Sequence, residues 1–111
     1  MKISKEDIIR INKGFGGSIR DSSSLDFALK LQESRKLGDY KKLAYLWRAI
    51  LVDHPFTDAN KRTATFIAFS FAYQNGLRAD RVLLVHHTQA IAIKNITSIR
   101  LIEARLKNAI R

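Results

Sequence analysis

From Thr63 to Tyr73 the chain reads Thr-Ala-Thr-Phe-Ile-Ala-Phe-Ser-Phe-Ala-Tyr, a run that is apolar nearly all the way round a helical wheel. A segment of this kind is stable when other helices cover most of its sides, so it predicts a helix buried inside a bundle. The rest of the chain supplies helices to cover it. Leu25, Leu29 and Leu37, with Phe27 and Leu31 beside them, predict an amphipathic helix that Ser24 caps and that ends near Gly38. Asp39 begins the next, in which Leu43, Leu46, Trp47, Ile50 and Leu51 recur at three- and four-residue spacings. Pro55 should stop that helix at His54, because a residue before proline is pushed out of the α region.

Gly76 should end the apolar helix. Beyond it, Arg81 to Val85 is the one segment with strand character, which allows a short hairpin between Gly76 and Thr88. His86 to Lys94 reads as a shorter helix capped by Thr88, and Ile99, Ile102, Leu106 and Ile110 form the stripe of a C-terminal helix. Lys13 to Ser24, with Gly14, Gly16, Gly17 and three consecutive serines, reads as a loop. The expectation is an all-α protein, a compact antiparallel helical bundle with at most one short hairpin.

Composition narrows the function classes. With 111 residues, 46% of them hydrophobic, one domain over residues 1–111 is expected. The absence of cysteine excludes a disulfide framework and a thiolate metal site. No signal peptide and no apolar run of about 18 residues is present, so a soluble, cytoplasmic protein with no membrane partner is expected. A net charge of +10 favours an acidic or polyanionic partner, whether nucleotide, nucleic acid or protein. The basic residues are scattered, however, and taken alone they read as a solvated face.

The polar segment His54-Pro55-Phe56-Thr57-Asp58-Ala59-Asn60-Lys61-Arg62-Thr63 lies between two strongly apolar helices, whose core does not need it. Asp58 or Asn60 is placed to cap the following helix, leaving first-turn amides to face an anion. Lys61 and Arg62 oppose the helix dipole there, at roughly 0.3–1 kcal/mol each, unless something negative lies in front of them. A polyphosphate would satisfy both, and Asp58 is compatible with it if the carboxylate holds Mg²⁺. His54, across the loop, is the side chain suited to accept a proton near neutrality.

The string HPFTDANKR resembles the active-site motif of the Fic/Doc family, His-x-Phe-x-Asp/Glu-Gly/Ala-Asn-Gly/Lys-Arg, at every fixed position. The preceding GFGGSIRDSSSLDFAL is similar to that family's Gly-rich lead-in and first-helix region, so the likeness runs from about Ile8 to Leu77. The resemblance implies the mostly helical Fic/Doc fold and an enzyme that uses ATP and Mg²⁺. It also implies His54 as general base, Phe56 as the anchor of the loop, Asp58 as the Mg²⁺ ligand, and Asn60, Lys61 and Arg62 as holders of nucleotide phosphates. Lys61 stands where AMP-transferring Fic enzymes usually have Gly, and Thr65 where they have a second Arg. In this the chain resembles the Doc (death-on-curing) toxin branch, whose members place the γ-phosphate of ATP on elongation factor Tu. The family's inhibitory signature is absent from the sequence, which implies restraint by a separate antitoxin.

The leading expectation is therefore a Doc-like kinase acting on a Ser, Thr or Tyr hydroxyl of a target protein. The alternatives are a Fic-type AMP transferase and a non-catalytic basic module binding nucleic acid or protein. Nucleic acid is not the expected partner, because the motif is complete. Trp47, Phe66, Phe69 and Phe71 are expected in the core, His86 and His87 as helix-end or surface residues, and Gly16 and Gly17 in a plain turn. Arg20 and Asp21 are expected to pair with each other or with water, outside the site.

Overall fold

The computed structural model describes residues 2–111. Among these the chain forms six helices: α1 (Lys5–Gly14), α2 (Ser23–Leu31), α3 (Asp39–Asp53), α4 (Asn60–Gln74), α5 (Arg81–Lys94) and α6 (Ile99–Ala109). No sheet is present among the described residues, so the all-α expectation stands. The only β pairing there is two isolated bridges, Ile19 with Phe56 and Ala79 with Ile110.

The centre of the bundle is α3, not the apolar run of α4. Helix α3 packs against α2, α4, α5 and α6, and buries Leu43, Ala44, Leu46, Trp47, Ala49, Ile50 and Leu51. Trp47 is fully buried, and its indole N–H donates to the Ala64 carbonyl at 2.9 Å, tying α3 to α4 with a polar atom that would otherwise be orphaned. In α4 the expectation is half corrected. Thr63, Ala64, Ile67, Ala68, Phe71 and Ala72 face the core, whereas Phe66 and Phe69 are 46% and 37% exposed and Tyr73 lies in solvent. The helix is apolar all round because its outer face lines a groove rather than a second core.

Several local expectations change. Helix α1 adds to the helices the apolar spacing predicts, and Ser4 and Asp7 form a reciprocal capping box at its start. Helix α2 ends at Leu31, well short of Gly38, and the residue at its N-cap is Ser22, not Ser24. Its start is held instead by Asp21, whose carboxylate accepts from the backbone N–H and hydroxyl of Ser23. Arg81 to Val85 is the first turn of α5, with Asp80 capping through Leu83 N–H; no hairpin forms there, and Thr88 sits mid-helix. Of the strand-like run only Leu84 is fully buried, while Val82 is 78% exposed. One turn of helix puts one side chain on the core, and a strand would have needed alternation.

The C-terminus is clasped onto the turn before α5. Asp80 N–H donates to Ala109, Arg111 N–H to Arg78, and the Tyr40 hydroxyl to the Ile110 carbonyl at 2.8 Å. No helix among the described residues is long and apolar enough to cross a membrane.

Candidate active site

The polar segment is a short connection from the central helix to α4, and its backbone is unusual. Helix α3 stops at Asp53, as Pro55 requires, but His54 does not relax to the extended region. It adopts φ 50, ψ 65, a left-handed conformation that few residues other than glycine visit. Ala59, at the N-cap of α4, is left-handed too, at φ 61 and ψ 26. Between these points Pro55 and Phe56 are buried, Phe56 to 2% exposure, while His54, Thr57 and Asp58 face solvent.

Neither Asp58 nor Asn60 caps α4. Asn60 turns back on the loop: its side-chain carbonyl accepts from Phe56 N–H at 3.3 Å, and its amide donates to the Phe56 carbonyl at 3.1 Å. Its side chain, expected to hold phosphate, is thus engaged by the loop. One oxygen of Asp58 accepts from Ala59 N–H at 2.7 Å, and the other has no hydrogen-bond partner among the described residues. With no side-chain cap on α4, the first-turn N–H groups of Asn60, Lys61 and Arg62 lie at the positive end of the helix with no intrahelical acceptor.

Lys61 and Arg62 are exposed, and no ion pair engages either among the described residues. Both border a groove of about 730 Å³ between α4 and α5. Phe66, Phe69 and Val85 supply its apolar wall, Phe15 closes one side, and Arg81 adds a third cation. Phe15 and Phe66 meet edge to face, with centroids 6.2 Å apart. His54 and Asp58 do not line the groove; they lie on the loop before the helix start that carries Lys61 and Arg62. Among the described residues no three His, Cys, Asp or Glu side chains converge on a metal position. Asp58, with one carboxylate oxygen unengaged among the described residues, suits a Mg²⁺ that takes most of its ligands from water and phosphate rather than from protein.

Residues before α2 frame this loop, including Arg20, which the sequence places outside the site. Asn12, fully buried at the end of α1, donates both protons of its amide, to the Asp58 carbonyl at 2.9 Å and to the Thr63 hydroxyl at 3.1 Å. Gly17 lies so close that a Cβ there would stand 2.6 Å from the Asp58 carbonyl oxygen and 2.3 Å from Asn12 Oδ1. Gly17 is therefore a close-approach glycine, and Gly16, at φ 93, provides the turn that brings it there. Thr57 N–H donates to the Ser18 carbonyl, and the N–H groups of Arg20 and Asp21 both donate to the Pro55 carbonyl. The Arg20 guanidinium donates to the His54 carbonyl. The Gly and Ser cluster signalled a special backbone in this segment. Nothing local marks Asn12 or Arg20, whose partners lie 46, 51 and 34 residues away.

The loop thus presents an exposed histidine and an exposed carboxylate ahead of an uncapped, cation-flanked helix start. The model of the Fic/DOC family matches residues 2–72, and the chain belongs to that family. Its members are typically transferases that modify other proteins. The matched stretch takes in α1, α2, α3, the loop and most of α4, and leaves α5 and α6 outside. No curated protein and no solved structure matches the chain.

Proposed function

We propose that this chain is a Doc-like toxin that moves the γ-phosphate of ATP onto a hydroxyl of a target protein, elongation factor Tu or one like it, and that a separate antitoxin restrains it. We read residues 1–111 as a single domain for this purpose. The observation that carries the proposal is the uncapped start of α4. Free amides, Lys61 and Arg62 converge there with no acidic side chain paired to them, which is the electrostatic complement of a polyphosphate.

In this reading the backbone N–H of Asn60 and the side chains of Lys61 and Arg62 hold the phosphates, while the Asn60 side chain keeps the loop in shape. Asp58 would hold Mg²⁺, which when bound offsets the charge of the phosphate oxygens. His54 takes the proton from the acceptor hydroxyl as its oxygen attacks the γ-phosphorus. The bond between that phosphorus and the bridging oxygen breaks, and ADP departs. Phe56 anchors the loop. Lys61 in place of Gly, and Thr65 in place of a second Arg, favour γ- over α-phosphate transfer. The Thr65 hydroxyl donates to the Lys61 carbonyl at 2.9 Å and offers no cation.

ATP labelled at either the α or the γ position, incubated with the protein and a cell lysate, tests this directly. Label from the γ position alone should reach protein, and His54→Ala should abolish it. Label from the α position would make the chain an AMP transferase. No transfer from either, with the fold intact and no antitoxin present, would point to a non-catalytic binding module.

A further inference from the structure

We infer that Arg20 is a positioning residue that aims His54, an assignment that rests on reading His54 as the general base. The observation behind it is the backbone of His54. A non-glycine residue in the left-handed region is strained, and a following proline ordinarily sends its neighbour to the extended or polyproline region. Such a conformation persists only where its surroundings over-determine it.

The contacts divide the task unevenly. Pro55 is held by backbone alone, through the N–H groups of Arg20 at 2.7 Å and Asp21 at 3.2 Å. Thr57 is held by the Ser18 carbonyl at 2.9 Å, and Phe56 by the side chain of Asn60. The carbonyl of His54 has one partner among the described residues, the guanidinium of Arg20. That carbonyl belongs to the peptide joining His54 to Pro55, so its direction reports ψ of His54, and ψ helps decide where the imidazole points relative to the start of α4. Arg20 makes no ion pair among the described residues that would account for its placement. Removing the guanidinium therefore releases one peptide plane and leaves its neighbours tied. His54 is then free to relax to the extended form, with Pro55 and Phe56 still buried.

The test uses the full chain as Arg20→Ala and Arg20→Lys, with two readouts. The first is transfer of γ-label from ATP to lysate protein as a function of ATP concentration. The second is the ring resonances of the three histidines by NMR, with that of His54 assigned from His54→Gln. Arg20→Ala should lower the maximal rate by about tenfold to a hundredfold, the scale of a misaimed catalytic group, with the apparent KM for ATP unchanged. The His54 ring signal should move while those of His86 and His87 stay. Arg20→Lys, which still offers an N–H to the carbonyl, should recover part of both. A raised KM with the maximal rate kept would make Arg20 a nucleotide contact and overturn the inference. So would an unmoved His54 signal, or a joint shift of all three signals with a fall in melting temperature, which would mark a general structural role. If the wild-type chain moves no label at all, the proposed reaction fails, and the resonances still decide whether Arg20 holds His54.

Discussion

Two histidines in this molecule occupy opposite kinds of environment. His87, on α5, is 7% exposed and both ring nitrogens are engaged: Nε2 lies 2.8 Å from Asn108 Oδ1 and Nδ1 lies 2.9 Å from an Arg105 nitrogen. A guanidinium can only donate, so Nδ1 must accept and the proton sits on Nε2, which leaves a neutral ring with every bond satisfied. Along the segment from His54 to Arg62, the His54 ring has no hydrogen-bond partner among the described residues, one oxygen of Asp58 is free, and Lys61 and Arg62 pair with no acid. Polar groups in the first cluster join α5 to α6. In the second, the backbone is tied, while the His54 ring, Lys61 and Arg62 are unpaired among the described residues.

The sharpest way to break this contrast is to remove one group from each kind of place. His54→Ala should cut label transfer by about 10² to 10⁴, the usual loss of a general base, with no change in the midpoint of thermal unfolding. A stability loss would mean that His54 is structural after all. Phe56→Ala should do the reverse first, destabilising the fold by about 3–5 kcal/mol in urea titrations, because it empties a buried site under the loop. Full stability in that variant would show the loop to be held by its hydrogen bonds alone.

Ligand binding sharpens the comparison further. ATP with Mg²⁺ should raise the melting temperature, by the equivalent of about 2.7 kcal/mol at a hundredfold excess over Kd. Asp58→Ala should remove the Mg²⁺ dependence, and Arg62→Ala should weaken ATP binding itself. If neither alters the shift, the anion site lies elsewhere. The smallest effect belongs to His87. Burial is the main cause that holds its pKa below the usual 6.5, with the nearby Arg105 and His86 acting in the same direction and the Asn108 hydrogen bond opposing them. Below pH 6.5 the unfolded chain then binds more protons at this site than the folded one, so stability falls as the pH drops through that range. Unfolding followed between pH 7.5 and 5.5 should show this decline, and His87→Gln should flatten it.

The sequence was most legible where one physical rule acted without competition. The apolar spacing of α3 and α6 and the stop at Pro55 needed only periodicity and proline sterics. Legibility failed where a distant partner overrode a local preference. Val82 to Val85 has strand propensity, but Asp80 caps a helix there and only Leu84 is fully buried. Phe66 and Phe69 look like core, but they line a groove. The loop residues could be named from their chemistry, and Lys61 and Arg62 fall where the spacing put them, in the first turn of α4. What the sequence could not show was that Asn60 folds back on Phe56, or that His54 keeps a left-handed backbone held by Arg20. Each depends on a turn or a contact that only the assembled chain supplies.

Gly17 carries a consequence for how the molecule is assembled. Its Cα fits against the Asn12 amide and the Asp58 carbonyl, so the end of α1, the lead-in turn and the loop are packed through one crowded point. A nascent chain must therefore extend past Thr63 before its first helix can find its seat. Until then the Ser18 to Asp21 segment can still hold Pro55 and Thr57, but the Asp58 carbonyl and the Thr63 hydroxyl lack the Asn12 amide.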